Sequence, residues 1–392
     1  MAVTSTLRVV LSCPDHPAYE EMVSELSNEI SYQILGPRFR DRGDGNGSML
    51  RLQNRIAHLM RKSPIGAIAY QRAKDGLLAR HRDPASLIHA CGHLVYEDHP
   101  WIGDYENANV LGFYSPRLLR SLYLTEHLRD RFLSPACKAI RVWSASAEHS
   151  FRSLFQDEQV CKKLRVIYPA IEFPPEALEP RQAGGVPRIL FVGCGFWIKG
   201  GSLFLSALSE LRARIEFRAD FICDLPPECA NYREALRGIV DFYEPNFTRP
   251  QLYQRFYRNA DIFVMLGMAD SYGLALLEAS AFGLPIVAFR LNSGLSDLLC
   301  LSGNGVQVEP ECQIFDSSGV HCMEPSELIR RIREDDHSDL VAGIAAVLGG
   351  LVSDSNRRHE LGERGRDAVL NGALSPARMR TSLLDLYTQA TV

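Results

Sequence analysis

Asp261–Ser296 reads DIFVMLGMADSYGLALLEASAFGLPIVAFRLNSGLS, and its rhythm decides the fold. Ile262 to Leu266 is a short unbroken apolar run, the pattern of a strand covered on both faces. Gly267 to Ser271 reads as a loop, and helical spacing starts near Gly273, with Leu274, Leu277 and Ala281 along one face. Gly283 and Pro285 stop that helix, and Ile286 to Phe289 follows at once as another strand. A strand, a helix and a strand in this order predict a parallel pair in an α/β sheet. Asp270 then stands in the loop before the helix, and Glu278 about two turns further along. The exposed N–H groups and positive end of such a helix suit a diphosphate. Two carboxylates on one rim accept hydrogen bonds from a hydroxyl-rich ligand.

Moving upstream, Arg188–Gly201 reads RILFVGCGFWIKGG. A strand over Arg188 to Val192 ends at Gly193, and a tight turn leads to Lys199-Gly200-Gly201 at the start of a helix. Glycine lets the backbone approach a phosphate closely, and the lysine ammonium acts as a mobile point charge.

Together these stretches resemble the retaining family-4 glycosyltransferases, also called glycosyl transferases group 1. Asp270-Ser271-Tyr272-Gly273 stands where that family usually has Glu-Ser-Phe-Gly. Glu278-Ala279 and Gly283-Leu284-Pro285 then fall at the family's spacing. The resemblance implies that Asp270 contacts the transferred sugar and Glu278 the ribose of the nucleotide. It adds Gly193, Lys199, Gly200, Ser271, Tyr272 and Gly273 to the donor site, with Lys199 and Asp270 serving catalysis. Cys194 departs from the pattern, because the family usually carries arginine there. Arg290, just beyond the last strand quoted, is the candidate to replace that cation. Gln251 to Ala260 and Asp354 to Val369 resemble further helices of the family, so the likeness covers roughly Arg188 to Ala390, about half the chain.

The fold implied is GT-B: α/β, with two doubly wound Rossmann-like domains facing a central cleft. In the N-terminal half, Leu7 to Leu11 reads as a first strand and Ala18 to Tyr32 as a helix (Met22, Leu26, Ile30). Met49 to Lys62 is again helical, and Leu87 to Cys91, Ala139 to Ala145 and Val166 to Ala170 are further strands. Glu172 to Val186 has the prolines and glycines of a linker. After it the rhythm restarts, with Glu216 to Cys223 among the later strands. The expected division is an N-terminal acceptor-side domain over 1–178, a nucleotide-sugar domain over 179–374, and a final helix over 375–392 crossing back.

The N-terminal half says less about chemistry. Pro100-Trp101-Ile102-Gly103-Asp104-Tyr105-Glu106 aligns with a family segment that ends in an acceptor-side histidine, which puts Glu106 in that place. A carboxylate there orients or deprotonates an acceptor hydroxyl; a strand-end glutamate capping its neighbours is the alternative. No metal site is expected: His89, His93 and His99 match no zinc spacing, and GT-B enzymes generally work without a bound metal. Pro37 to Arg82 is markedly basic, which admits a peripheral membrane contact or simply a solvated helix face.

Composition sets the outer bounds. In 392 residues, 46% hydrophobic and 23% charged, there is material for two or three cores and no disorder signature. A net charge of -4 gives no general affinity for nucleic acid. The 10 cysteines include no C-x-x-C pair, which fits free thiols in a reducing cytoplasm. No signal peptide is read at the N-terminus, so a cytoplasmic location is expected, at most peripheral at the inner membrane face.

The expected reaction moves a hexosyl group from a nucleoside diphosphate sugar to an acceptor hydroxyl, with retention and with no cofactor. The acceptor is a glycan, a lipid-linked sugar or a small molecule, in polysaccharide or glycoconjugate biosynthesis. Two alternatives stay open: a nucleotide-sugar 2-epimerase-like isomerase, and a non-catalytic GT-B partner protein, the second helped by Cys194 and by Asp270 in place of glutamate.

Overall fold

The computed structural model describes residues 7–13, 16–35, 62–80, 82–83, 86–172, 174–178 and 185–391. They form two compact units, one of residues 1–169, 317–322 and 377–392, the other of 170–316 and 323–376. Each unit is built on a six-stranded sheet whose strand pairs are all parallel. Parallel strands need crossover connections, and helices supply most of them, the link from β3 to β4 being a loop.

In the first unit the order is β2-β1-β3-β4-β5-β6. The strands are β1 (Leu7–Ser12), β2 (Ile30–Leu35), β3 (Leu87–Cys91), β4 (Trp101–Tyr105), β5 (Cys137–Val142) and β6 (Leu164–Val166). The helix expected over 18–32 is shorter: α1 covers Pro17–Leu26, and the chain then turns into β2. Ile30, Tyr32 and Ile34 alternate with polar residues, and that period of two prevails over the helical reading. The strand expected over 139–145 ends at Val142, because Ser144 accepts from the Ala147 N–H and caps a new helix. The strand expected over 166–170 is instead the three-residue β6. The helix read over 49–62 lies, apart from Lys62, outside the described residues. Of the basic stretch, Arg82 pairs with Asp75 and Glu97, and Arg72 lies 5.0 Å over the Tyr96 ring.

A buried polar network ties the unit's end to its sheet. Asp104, on β4, accepts from His89 Nε2 at 2.9 Å, Arg141 Nη1 at 2.7 Å and Trp143 Nε1 at 2.7 Å. Tyr387, on the helix Pro376–Thr391, bonds His89 Nδ1 at 2.7 Å. Burial alone would push the Asp104 carboxyl up, but Arg141 and the His89 bond outweigh it and hold it below its ordinary value. Residues 317–322 are clasped into the same unit: buried Asn109 donates to Gly319 O at 3.0 Å and accepts from the His321 N–H at 2.7 Å.

The second unit has the order β12-β11-β10-β7-β8-β9. Its strands are β7 (Arg188–Val192), β8 (Arg218–Ile222), β9 (Val240–Tyr243), β10 (Ile262–Met265), β11 (Ile286–Phe289) and β12 (Gly305–Val308). The described residues of 170–178, expected with the N-terminal domain, fall in this unit, with Ile171 and Ala177 buried. The winding reverses between β7 and β10, which are direct neighbours. Ligands of doubly wound sheets bind outside the carboxyl ends of the strands at such a switch point.

Candidate functional site

The two motifs meet at that switch point. After β7 the chain turns through Gly193 and Cys194, and α2 (Gly201–Leu211) starts behind Gly200. Gly200 has φ 75°, and a Cβ there would lie 2.3 Å from the Leu266 carbonyl oxygen, so no other residue fits without moving the neighbouring loop. The close approach brings the turns together: the Met268 N–H donates to Ile198 O at 3.2 Å.

After β10, the loop from Gly267 folds Asp270 back on itself. A Cβ on Gly267 would sit 1.8 Å from Asp270 Oδ2, so the bare backbone of Gly267 makes the space that the carboxylate occupies. Lys199 Nζ, reaching from the β7 turn, bonds Asp270 Oδ1. Ser293 Oγ donates to the Asp270 carbonyl at 2.7 Å and fixes the loop from the other side. Asp270 is 8% exposed, and its Oδ2 has no hydrogen-bond partner. A buried carboxylate oxygen left open is costly unless something donates to it. Tyr272 is buried, Ser271 half-buried, and Gly273 (φ 95°) caps α4 (Leu274–Ala281) without offering a side-chain acceptor to its first amides.

Glu278 lies on α4 and is also buried. Its Oε1 accepts from Arg249 Nε at 2.8 Å and Tyr253 OH at 3.1 Å, and its Oε2 from Tyr257 OH at 3.0 Å. These donors come from α3 (Arg249–Arg255) and the turn after it. Burial first, and then the Glu278 charge, push the Tyr257 hydroxyl well above its ordinary value, so it stays a donor. Sequence reasoning missed this trio. Their spacing of four is legible as one helix face, but nothing in it names Glu278 as the target.

A cavity of about 330 Å³ opens at the carboxyl ends of β7, β8 and β10, within the size range of small-molecule sites. Phe191, Ile222, Phe247 and Leu252 give it an apolar wall, and Gly193 and Lys199 a polar end. Cys194 is exposed and lines it, so a thiol does stand where a cation was expected. Arg290 lies outside this lining, exposed and paired with Glu309 at 2.8 Å. A larger cavity, about 870 Å³, is bounded by Arg188, Asp220, Asp241 and Asp261. Its polar wall is largely spent on internal pairing: Arg188 Nη1 bonds both Asp220 oxygens, and Asp261 accepts from the Arg188 N–H. The smaller cavity is therefore the better candidate, by its position at the switch point.

In the first unit, Glu106 follows β4 and accepts from Tyr114 OH at 3.0 Å. Phe113 and Tyr114 both have left-handed backbones, φ 53° and 62°, which is uncommon outside glycine and strains the turn that aims this phenol. His89, Cys91 and Asp104 place ligand-type atoms within 4.8 Å of one another. Arg141 already supplies positive charge to Asp104 there, and the set reads as packing of the core.

Residues 186–316 match the family described as Glycosyl transferases group 1. A D-inositol 3-phosphate glycosyltransferase of Xylanimonas cellulosilytica is 27% identical over 209 residues, 52% of this chain and 43% of that protein. Sucrose-phosphate synthase 4 of Arabidopsis thaliana is 38% identical over 64 residues, 16% of this chain and 6% of that one. The chain thus spans less than half the length of these curated relatives. Among solved structures, a sucrose-phosphate synthase of Thermosynechococcus elongatus aligns with TM-score 0.64 and 15% identity, covering 98% of this chain and 99% of that one. Anabaena HepE, solved in complex with UDP, aligns with TM-score 0.60 and 12% identity, covering 98% and 100%. At these identities the likeness concerns the fold, which is GT-B.

Proposed function

We propose that the chain, whose residues 186–316 match the family described as Glycosyl transferases group 1, transfers a hexosyl group from a nucleoside diphosphate sugar to an acceptor hydroxyl, with retention of configuration. The observation that carries this reading is the buried Asp270 carboxylate, paired with Lys199 through Oδ1 and unpartnered at Oδ2, beside the switch-point cavity that Lys199 and Gly267 line. Asp270 Oδ1 is neutralised by Lys199, and Oδ2 is left to accept from a sugar hydroxyl. The apolar part of the cavity takes the base, and Glu278 meets the ribose. That Anabaena HepE, of the same fold, is solved in complex with UDP supports a nucleotide as ligand.

In the proposed reaction the bond from the anomeric carbon to the diphosphate oxygen breaks, and a bond to the acceptor oxygen forms on the same face. The acceptor proton passes to the departing phosphate oxygen. Lys199 and the first amides of α4 meet the charge that develops on the diphosphate, and preorganised donors of this kind speed departure. On the acceptor side, the candidate carboxylate is Glu106 of the first unit, which accepts from Tyr114 OH. No resident metal enters this scheme, so activity is expected to survive exhaustive EDTA treatment.

The test starts with thermal shifts against UDP, GDP, ADP and their sugar conjugates. A ligand at about 100 times its dissociation constant adds roughly 2.7 kcal/mol. NMR of the glycosylated product from the donor so identified then reports the anomeric configuration. Transfer that survives Lys199→Ala and Asp270→Asn unchanged would falsify the proposal, and an inverted product would remove the retaining mechanism.

A further inference from the structure

Glu278 has a feature that its motif does not explain: most of its hydrogen-bonding capacity is already used inside the protein. A carboxylate offers about four acceptor positions. Oε1 takes Arg249 through Nε and Nη2, both at 2.8 Å, together with Tyr253 OH. Oε2 takes Tyr257 OH alone. Counted by oxygen, with two positions each, Oε1 is oversubscribed by three donors and one position on Oε2 stays unfilled. Glu278 is itself buried behind the lining, and the wall of the cavity is one turn away on both helices, at Leu252 on α3 and Ala275 on α4.

Each donor is itself held. Thr248 and Gln251 form a capping box that fixes the first turn of α3 and hence Arg249. Tyr253 and Tyr257 both pack on the Phe282 ring, at 5.5 and 5.6 Å, and Tyr257 also stacks on Phe263 at 5.6 Å. A carboxylate so fixed cannot turn to suit a ligand. It presents one oxygen in one direction, the condition for a site that rejects an analogue lacking a single hydroxyl.

We propose that Arg249, Tyr253 and Tyr257 are positioning residues that lock Glu278 so that Oε2 accepts one ribose hydroxyl, making the cavity selective for ribonucleotides over deoxyribonucleotides. This rests on the donor-site reading above and adds the three residues that set its sugar selectivity. A hydrogen bond to a charged group is lost when that hydroxyl is absent, so the ribose form binds about 10- to 100-fold more tightly. The selectivity belongs to the geometry, and it falls when the clamp is loosened even though Glu278 remains.

The experiment is calorimetric titration of the full chain with UDP, GDP and ADP and with their 2′-deoxy and 3′-deoxy forms. It compares wild type with Tyr253→Phe, Tyr257→Phe, Arg249→Lys and Arg249→Ala. The tyrosine changes remove one oxygen each from aromatic packing that otherwise stays, and they keep the test informative should Arg249→Ala fail to fold. For the diphosphate that binds, the ratio of deoxy to ribo dissociation constants is expected to be about 10 or more in wild type and to fall by roughly threefold or more in the tyrosine variants. A ratio near one in wild type, or one kept within about twofold in both tyrosine variants, overturns the positioning role while leaving the donor site standing. Failure of every diphosphate to bind wild type overturns both.

Discussion

Replacing Gly267 by alanine is the sharpest test of how Asp270 is held. Gly267 has no left-handed φ, so alanine meets no backbone penalty, and the whole effect comes from the added methyl. That methyl would lie 1.8 Å from Asp270 Oδ2 and 2.8 Å from its Cγ. Ordinary contact needs about 3.5 Å. Rotation about χ2 moves Oδ2 but leaves Cγ in place, so the carboxylate must shift at χ1, by roughly 1 Å or more. An off-rotamer side chain costs only about 0.5–1.5 kcal/mol, and the protein should fold with a small loss in Tm. The shift would pull Oδ1 from Lys199 and Oδ2 from its proposed sugar contact, and a displacement of about 1 Å at a reacting centre costs about 100-fold. The readouts are kcat/KM for transfer, or donor hydrolysis without acceptor, alongside the dissociation constant of the bare nucleoside diphosphate. The first should fall about 100-fold and the second change less than about threefold, because the Glu278 cluster is untouched. Activity within about threefold of wild type would refute the claim that Gly267 makes room for a working Asp270.

Three further outcomes follow from the same geometry. Lys199→Ala should weaken nucleoside diphosphate binding and lower kcat/KM by about 100- to 1000-fold, since it removes a donor from the leaving group and the partner of a buried carboxylate; a loss below tenfold counts against both roles. Cys194→Arg, at an exposed position lining the cavity, should tighten diphosphate binding by several-fold to about tenfold, while the nucleoside alone is unaffected. Asp104→Asn should lower the stability of the first unit by about 3–5 kcal/mol, seen as an earlier denaturant midpoint, because it leaves Arg141 buried without its counter-charge. The pH dependence has a definite sign. The folded Asp104 carboxyl is held below its unfolded value, so its contribution is full above the ordinary aspartate range and fades as pH falls through the lower folded value. The variant should therefore lose part of the wild type's acid sensitivity, and an unchanged acid limb would remove Asp104 from that account.

What could be read in advance depended on whether the deciding interaction was local. β10, the loop to Asp270 and α4 follow from an apolar run, two glycines and a proline within 36 residues, and there the boundaries hold to within a residue or two. β2 was misread because Met22, Leu26 and Ile30 keep helical spacing through a segment whose second half pairs with β1. The pairing decides the outcome, and it lies outside the window in which periodicity is measured. Of the later strands, β12 reads GVQV and is half-buried throughout, so its place at the sheet edge leaves little apolar signal. The same division runs through the site. Lys199, Asp270 and Glu278 are visible because each stands at a fixed offset from a turn or helix start. Their partners are not, because Arg249 reaches Glu278 from 29 residues away and Lys199 reaches Asp270 from 71. Arg290 shows the limit most clearly. In sequence it follows the β11 strand end and supplies the missing cation, yet in space Glu309 takes its guanidinium while Cys194 leaves its own place uncharged. A cation placed by spacing alone is a guess about which carboxylate it meets first, and in a doubly wound sheet that meeting is set by strand order, β11 beside β12, rather than by distance along the chain.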